Sequence, residues 1–449
     1  MDAHFDEMVA ELKELCAFRS VAGDAAGLEA ARTYITGKMT AVGLSPVRHP
    51  VPGGNDLISA EMPGETADTL LFYNHYDVVE AGDPAGWRTA DPFTAEVEDG
   101  LIYARGISDN KGPLLSRLHA VQALLAVCGR LPAGVKFLYE GDEESSSESM
   151  QSFAEAHPET FKELIKSDVC LWENGRKDTA GYPWARFGVR GGCAFDLSVT
   201  TAKTDVHGRS GSTIPSASWR LVWALASLKS PDEKVLIDGF YDRVIPPTEE
   251  DYEVLRAFPY DEEGEKRELG LKSYLKNATG EELKRMIYLE PSFSICGLEA
   301  GEMYRGVRGI VPHTASARIS FYLVADQDPA ELAVQLRRHL DKHGFADVAV
   351  KSVGGSSRPV RTPVNIPFRD RVVKAAAKVY EKPMVIELTM LGASPASILR
   401  DAWPTLPIVC IGPGNTTANH HAPDENMALE DYREGVKHII ALLYSYLEG

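Results

Sequence analysis

The sequence predicts an α/β protein in which a smaller α+β domain is inserted into a domain built on a parallel sheet. Three apolar segments, 69–73, 135–139 and 168–172, have the length and residue types of buried strands, and helical segments separate them. Strands that alternate with helices indicate parallel βαβ connections. The pattern of predicted strands and helices changes after Gly175. Another buried strand, 407–411, is predicted beyond the part with the different pattern.

The helices of the parallel-sheet domain are predicted from apolar residues that recur with helical spacing. Glycines interrupt the loop between the first two of these helices. These helices are predicted over residues 5–18, 28–39, 111–127, 369–380 and 429–447.

The middle of the chain has the pattern of a separate α+β domain. Residues 189–201 and 315–324 alternate as strands do, and a helix is predicted over 216–228. A strongly acidic stretch, 232–290, has no role that can be derived from its residues. A proline-rich segment, 358–367, then forms the return linker to the first domain.

Composition restricts the class of protein. A chain of 449 residues exceeds one ordinary core, and 44% hydrophobic with 25% charged residues is typical of a soluble globular protein. The formal charge of −18 argues against nucleic acid or an anionic membrane as a partner, because phosphate binding needs a basic surface. No apolar stretch approaches the roughly 18 residues that a membrane span requires.

The expected location is the cytoplasm. The N-terminus lacks the basic and apolar regions of a signal peptide. The cysteines are scattered singly, without metal-binding spacing, as expected of buried thiols in a reducing compartment. They are Cys16, Cys128, Cys170, Cys193, Cys296 and Cys410.

Each of the four predicted strands is followed by a histidine or an acidic residue. His75 follows the first strand, Glu143 and Glu144 follow the second, and Glu173 follows the third. His421 follows the last strand through a loop. Because ligands bind outside the carboxyl ends of strands in open α/β sheets, these side chains are expected to converge.

Each of these residues, taken alone, has an ordinary structural explanation. Asp109 precedes a helix and has the position of a helix cap, and adjacent glutamates are usually solvated. The occurrence of all these residues at successive strand ends nevertheless favours a common binding site. Asp77 lies two residues beyond His75, so we expect it to orient the histidine ring.

Two histidines and several carboxylates form a mixed donor set that suits zinc and, less well, manganese or cobalt. With Asp109 as a shared ligand, five residues are enough for two divalent ions about 3.5–4 Å apart. Glu143 and Glu144 need separate roles because two free carboxylates so close would repel each other. One would bind metal and the other would take a proton from a metal-held water, and their order alone does not say which. Only one of His420 and His421 is needed.

The residues from Leu71 to Gly112 include His75-Tyr-Asp77, Gly86-Trp87, Asp91-Pro92-Phe93 and Asp109-Asn-Lys-Gly112. Together with Glu140-Gly-Asp-Glu143-Glu144-Ser145, this segment resembles the M20 family of co-catalytic zinc metallopeptidases. The similarity is to carnosinase-like dipeptidases and acetylornithine-deacetylase-like members, and it extends through nearly the whole chain.

The resemblance implies a zinc-peptidase-like α/β/α catalytic domain, over residues 1–186 and 359–449. It also implies an inserted α+β lid or dimerisation domain over 187–358, and therefore a homodimer.

The resemblance further implies two metal sites. His75, Asp109 and Glu173 would hold one zinc. Asp109, Glu144 and His421 would hold the other, because the family motif matches from His421 onwards.

The catalytic roles implied by the resemblance fall on three residues. Asp77 would support the metal-binding histidine, and Glu143 would be the general base and acid. Asp205-Val-His207 resembles the motif whose histidine projects from the lid domain, often across a dimer interface, to stabilise the tetrahedral intermediate.

Substrate contacts are implied for Gly392, Ala393 and Ser394, which fall where family members carry a glycine-rich segment that contacts the substrate carboxylate. Tyr322 stands where many relatives have a carboxylate-binding arginine. Tyrosine offers one hydroxyl in place of a bidentate guanidinium, so Arg190, Arg305 or Arg308 could take over that role.

The expected activity is hydrolysis of the amide bond of dipeptides or short peptides by a metal-bridging water, with Glu143 as general base. The closest alternative is an N-acyl-amino-acid deacylase that uses the same machinery. A two-metal phosphoesterase would need several basic residues near the strand ends, and only Arg105 and Lys111 lie close to the first motif. A non-enzymatic binding protein would be expected to have lost a ligand or the base, and none is missing.

Overall fold

The computed structural model describes residues 1–301, 303 and 309–448. The chain forms two compact units. The first unit comprises Met1–Gly188, Arg361–Met390 and Pro395–Gly449, and the second comprises Val189–Val360 and Leu391–Ser394. The catalytic and lid roles that the sequence suggests for the two parts of the chain stay predictions.

The main sheet of the first unit has mixed pairing. Its central strands pair in parallel, whereas the first two strands of the order pair antiparallel at one edge. The strand Thr69–His75 is buried almost along its whole length, as expected when a sheet is covered on both faces. The strand order is Val47–His49, Leu57–Met62, Gly134–Glu140, Thr69–His75, Val169–Trp172 and Ile408–Val409.

The helices of the first unit pack against one another in groups. Gly112–Cys128 and Leu429–Tyr444 contact each other, and Phe5–Ala17 packs on the former. Asp24 caps the second helix by accepting hydrogen bonds from the amides of Ala26 and Gly27. The remaining helices of this unit are Ala25–Ala41, Glu148–Ala156, Pro158–Ile165, Pro367–Ala376 and Ser397–Ala402.

Two small sheets complete the first unit. In the first of them, Leu101–Tyr103 lies between Glu96–Glu98 and Asn426–Ala428 and pairs antiparallel with both. This pairing joins the C-terminal part of the chain to the segment just before Asp109. The second small sheet consists of Val385–Glu387, Pro183–Arg186 and Arg176–Lys177.

The second unit is an antiparallel sheet with helices packed against it. Its strand order is Ser292–Ala300, Thr314–Leu323, Gly188–Thr200 and Ala349–Ser357. The helices Ala217–Leu228 and Pro329–Lys342 contact this sheet and each other. The apolar core between them includes Phe195, Leu197, Leu221, Ile319, Phe321, Leu336 and Leu340. The predicted α/β fold class, with a separate α+β part, is confirmed.

Shorter elements of the second unit are the strands Val206–His207, Ile310–Val311, Val360–Arg361 and Met390–Ala393.

The acidic stretch 232–290 folds into helices that the sequence analysis did not predict. Thr248 and Asp251 form a reciprocal capping box at the start of one of them, and Asp261 accepts a hydrogen bond from the Gly264 amide at the start of the next. The acidic residues therefore concentrate at helix N-termini, where their negative charge interacts favourably with the positive end of the helix dipole. The helices are Glu249–Ala257, Glu262–Leu269 and Gly280–Leu289.

Among the described residues, no helix combines the length and the apolar character that crossing a lipid bilayer requires.

Candidate functional site

The candidate site lies in the first unit, at the carboxyl edge of the main sheet. The strands Thr69–His75, Gly134–Glu140 and Val169–Trp172 are parallel neighbours, so they end at the same edge. Beyond their ends stand His75, a short helical turn that carries Glu143 and Glu144, and Glu173.

His75 is buried and has a partner for each ring nitrogen. Nδ1 lies 3.1 Å from the carbonyl oxygen of Asp77 and 3.4 Å from its carboxylate Oδ1. Nε2 points to Asp109, whose Oδ1 is 3.1 Å away. The other carboxylate oxygen of Asp77 accepts a hydrogen bond of 3.0 Å from the Glu144 amide. Asp77 therefore faces the His75 ring with both its backbone carbonyl and its carboxylate, and it also holds the backbone of Glu144; its role in orienting the ring stays a prediction.

Asp109 lies between two histidines. Its Oδ1 contacts Nε2 of His75, and its Oδ2 is 3.5 Å from Nε2 of His421. The side chain makes no capping hydrogen bond to the helix that follows. Burial opposes the charged form, but the hydrogen bonds to His421 and His75 hold the pKa of Asp109 well below its usual range. An ionised carboxylate with its two oxygens facing different imidazoles has the arrangement of a bridging metal ligand.

The glutamates gather around these histidines. Oε2 of Glu144 is 3.1 Å from Nε2 of His421. Ligand atoms of His75, Asp109 and Glu144 lie within 4.8 Å of one another, as do those of His75, Glu143 and Glu173. The second group contains Glu143, so the distances alone do not separate a metal ligand from a proton-transferring base.

Crowding of acidic groups raises their affinity for protons. Burial and repulsion by Glu173 raise the pKa of Glu143 well above its ordinary value. Burial likewise raises the pKa of Glu173 to about 7, and the nearby Asp109 adds to the shift. Oε1 of Glu144 and Oε1 of Glu173 are buried without a hydrogen-bond partner among the described residues. Unsatisfied carboxylate oxygens beside imidazoles fit divalent cations, which would relieve both the repulsion and the missing contacts.

The two adjacent histidines have different surroundings. His421 contacts Asp109 and Glu144, and these hydrogen bonds raise its pKa to about 10. Nε2 of His420 instead pairs with the hydroxyl of Ser108 at 2.8 Å, while its Nδ1 is 3.9 Å from Asp109. The geometry therefore favours His421 as a ligand, and leaves His420 hydrogen-bonded beside the site.

Two of the candidate ligands have unusual backbone conformations. Glu173 has φ 41° and His421 has φ 58°, in the left-handed region that non-glycine residues rarely adopt. Such conformations cost of order 1–3 kcal/mol and persist where the surrounding structure imposes them. Their occurrence at two proposed ligands is consistent with side chains held in place for function.

The sequence analysis missed Arg117, a buried cation beneath the acidic cluster. Its guanidinium donates to the Asn74 side chain at 2.7 Å, to the Leu171 carbonyl at 2.8 Å, and to the carbonyls of Tyr73 and Glu173. It thus ties together the ends of the two strands that deliver His75 and Glu173. A single arginine among the apolar residues of the helix Gly112–Cys128 was the signal that could have identified it.

The residues predicted in the inserted part lie in the second unit. His207 is exposed, and its Nδ1 accepts a hydrogen bond of 3.2 Å from the Arg209 amide. Tyr322 is exposed on Thr314–Leu323, opposite Gly192 in the neighbouring strand.

Of the glycine-rich segment in the second unit, Gly392 and Ala393 are exposed, while Ser394 is buried with its hydroxyl unpaired within the described structure.

Of the three arginines that could replace the missing one, Arg190 lies within the described residues. Arg190 is buried and donates to the carbonyls of Ile287 and Glu290, so its guanidinium is already engaged. Arg305 and Arg308 lie outside the described residues.

Parallel strands that bring imidazoles and carboxylates together beyond their carboxyl ends are an arrangement typical of metal-dependent hydrolases. The particular family follows from comparison with known proteins. Residues 71–445 match the model of peptidase family M20/M25/M40, and the chain belongs to that family.

Several relatives are similar over most of the chain. A Beta-Ala-His dipeptidase of Homo sapiens is 31% identical over 368 residues, which cover 76% of this chain and 70% of the relative. A cysteinylglycine-S-conjugate dipeptidase of Corynebacterium striatum is 27% identical, with 89% of this chain and 86% of the relative covered. The crystal structure of an M20 family metallo-carboxypeptidase, Sso-CP2 from Sulfolobus solfataricus, has a TM-score of 0.88 and 31% identity, and the match covers 98% of this chain and 99% of that one.

These findings confirm the family resemblance and the enzyme class. The chain is a member of a family of metallopeptidases, which are hydrolases that act on peptide bonds. The roles of individual residues, including the division of the ligands between two metals, stay predictions.

We expect Asp109→Ala to lose both metal ions together, because the carboxylate contacts both histidines. Metal content after dialysis, measured by atomic emission, checks this. Asp24→Ala is the matched control, since Asp24 does cap a helix. It should lower the free energy of unfolding by about 1 kcal/mol and retain both ions. Full occupancy of either site in Asp109→Ala would contradict the bridging role.

Proposed function

We propose that this protein is a dinuclear metal-dependent dipeptidase that hydrolyses the amide bond of dipeptides or short peptides. The observation that carries the proposal is the Asp109 carboxylate between His75 and His421, surrounded by buried and half-buried glutamates. Family membership supports amide hydrolysis, and the names of the human and Corynebacterium relatives support dipeptides as the substrate class.

We assign the metal ligands in two sets that share Asp109. His75, Asp109 and Glu173 would hold one ion, and Asp109, Glu144 and His421 the other. The mixed imidazole and carboxylate donors suit zinc, and manganese or cobalt would accept the same donors less well. When bound, the two cations lower the pKa of a water molecule and polarise the substrate carbonyl.

Glu143 moves the proton in this proposal. Its carboxylate lies beside the proposed ligands His75 and Glu173, where it can accept a proton from the attacking water. The same carboxyl group then gives the proton to the departing amine. Asp77 supports His75, and His207 donates a hydrogen bond to the oxyanion of the tetrahedral intermediate.

Substrate positioning is assigned to Tyr322, Gly392, Ala393 and Ser394. Gly392 and Ala393 are exposed and the Ser394 hydroxyl is unpaired within the described structure, so this segment is placed to meet a carboxylate, and the hydroxyl of Tyr322 supplies a single further donor. Because tyrosine lacks the fork of an arginine, we expect weaker recognition of a free C-terminus than in relatives that have the arginine.

The same metal ligands and catalytic residues would serve an N-acyl-amino-acid deacylase, which is the alternative function. The relatives favour dipeptides, because the human and Corynebacterium proteins that are similar over most of this chain are both named as dipeptidases.

We also propose a cytoplasmic homodimer formed through the second unit. Trp219 and Trp223 on the helix Ala217–Leu228 are 57% and 56% exposed, and their rings stack with centroids 5.8 Å apart. The edge strand Ser292–Ala300 exposes Ile295 and Leu298. Exposed aromatic and edge-strand surfaces of this kind are typical of protein interfaces. Free thiols at all six cysteines are consistent with the cytoplasm, and cell fractionation tests that location.

A panel of dipeptides and matching N-acyl amino acids, assayed with zinc, tests the proposed function. We expect dipeptides to be favoured by about tenfold or more in kcat/KM, which corresponds to 1.4 kcal/mol of preferential binding in the transition state. Chelation should remove the activity, and added metal should restore it.

The Glu143→Gln variant is the control for the assigned chemistry. It should retain both metals and lose turnover of every substrate, because glutamine cannot take up the proton. A preference for N-acyl amino acids would overturn the dipeptidase proposal. Loss of one metal from Glu143→Gln would make Glu143 a ligand instead of a base.

We expect His207→Ala to lower kcat by about 10²–10³ with little change in KM, as for removal of an oxyanion donor. Steady-state kinetics on the best dipeptide measures this. His343→Ala removes another exposed histidine of the second unit and should leave kcat unchanged. Equal kcat values for His207→Ala and the wild type would show that His207 is an ordinary surface residue without a catalytic role.

The double substitution Trp219→Glu with Trp223→Glu should convert the dimer to a monomer, because it places charges in an apolar contact. Light scattering should give twice the chain mass of 49.1 kDa for the wild type and the single mass for the variant. Val334→Glu, on the other long helix of the unit, is also exposed and should leave the dimer intact. A monomeric wild type would refute the dimer.

A further inference from the structure

Glu425 is a fully buried acid four residues beyond His421 in the sequence, and it is not itself one of the proposed metal ligands. Both of its carboxylate oxygens accept hydrogen bonds from the segment that leads to Asp109. Oε1 accepts from the amides of Ser108 and Asp109, each at 2.9 Å. Oε2 accepts from the Gly106 amide at 2.8 Å. One side chain thus satisfies three backbone donors of the Asp109 loop.

The loop is shaped to present these amides. Gly106 has φ 85°, and a Cβ atom there would lie 2.6 Å from Cγ1 of Val78. The turn therefore requires glycine. Backbone amides that converge from a turn containing a left-handed residue form a concave anion site. In this protein the anion that fills it is a carboxylate of the chain itself, Glu425.

Arg105 connects the same two segments. Its Nη1 donates to Oε2 of Glu425 at 2.6 Å, and its Nη2 donates to the carbonyl of Ala422 at 3.3 Å. The hydroxyl of Ser108 pairs with His420 at 2.8 Å. The segment before Asp109 and the segment after His420 are therefore joined by side chains at several points.

We propose that Glu425, held by Arg105, is the positioning residue that sets the register between the Asp109 loop and the His421 segment. The proposed second metal takes ligands from both segments, so their register determines whether Asp109 and His421 can bind one ion. Glu425 contacts no reacting atom. This inference rests on the metal site assigned under the proposed function.

The alternative is a buried ion pair that supports only the fold. Removing one partner of such a pair is destabilising wherever it lies, because the other charge is left buried alone. A positioning role predicts an additional effect, a change in the metal site of the folded protein. The two roles are separated by measurements of metal binding on protein that is shown to be folded.

The test is Glu425→Gln, titrated with Zn²⁺ against a competing chelator and with Co²⁺ followed by its visible absorption. Glutamine keeps the shape but has an NH₂ group in place of one carboxylate oxygen, so the donors that face that oxygen lose their acceptor. We expect about 10–100-fold weaker binding of at least one ion, as for other partners that orient metal ligands. The Co²⁺ spectrum should also change, because the ligand geometry changes.

Arg105→Lys is the second variant, and it covers the case in which Glu425→Gln fails to fold. Lysine keeps the charge but cannot span Glu425 and the Ala422 carbonyl as the planar guanidinium does. It should weaken binding of the same ion and shift the Co²⁺ spectrum in the same direction. Circular dichroism of the metal-free proteins establishes that each variant is folded.

Glu430→Gln is the matched control. It makes the same change of charge five residues further along, where the side chain is exposed and pairs only loosely with Arg433 at 3.7 Å. Its metal affinity and Co²⁺ spectrum should equal those of the wild type.

Wild-type affinity and an unchanged Co²⁺ spectrum in folded Glu425→Gln or Arg105→Lys would overturn the inference while the metal site stands. A wild-type protein that binds no pair of ions would overturn the proposed metal site itself. The two failures are therefore distinguishable in one set of titrations.

Discussion

Repulsion among carboxylates at the carboxyl edge of the main sheet is the constraint on which the rest of this site depends. Asp77, Asp109, Glu143, Glu144 and Glu173 are brought close together in a largely buried region. Burial and mutual repulsion raise the pKa of Glu143 and Glu173, so the cluster carries an energetic cost that positive charge must offset. Divalent cations offset it directly, which explains why the same residues that destabilise one another are suited to hold metal.

Buried basic side chains of the protein itself offset part of the remaining electrostatic repulsion. Arg117 joins the ends of the ligand-bearing strands through their carbonyls, and Lys111 is buried with its ammonium donating to the carbonyl of Phe18. Arg105 compensates Glu425, which in turn holds the Asp109 loop. These residues are not proposed ligands themselves, but they lie behind the proposed ligands. They connect the helix after Asp109, the strand ends and the C-terminal segment, so the site is supported by three distant parts of the chain.

Much of the fold was predictable because it depends on local patterns. The apolar run before His75 and those before Glu140 and Glu173 specify buried strands; the structure extends the first two by two residues each and shortens the third by one. The strand Leu57–Met62, second in the sheet order, was missed, as were the helices of the acidic stretch. This strand is specified by its pairing with Gly134–Glu140 on one side and Val47–His49 on the other, which no local pattern shows. In the acidic stretch, helix caps and partners outweigh a composition that by itself indicates only a solvated surface.

The sequence by itself determined the donor types, their order at successive strand ends and the family, because these follow from residue identity and short-range spacing. Only the tertiary structure decided that Asp109 faces two histidines instead of capping its helix, and that His420 and His421 have different partners. It also disclosed Arg117 and the Glu425 contact with the Asp109 loop, some 316 residues apart in the chain. Contacts between such distant residues depend on how the strands and loops pack, and no local pattern of residues encodes them.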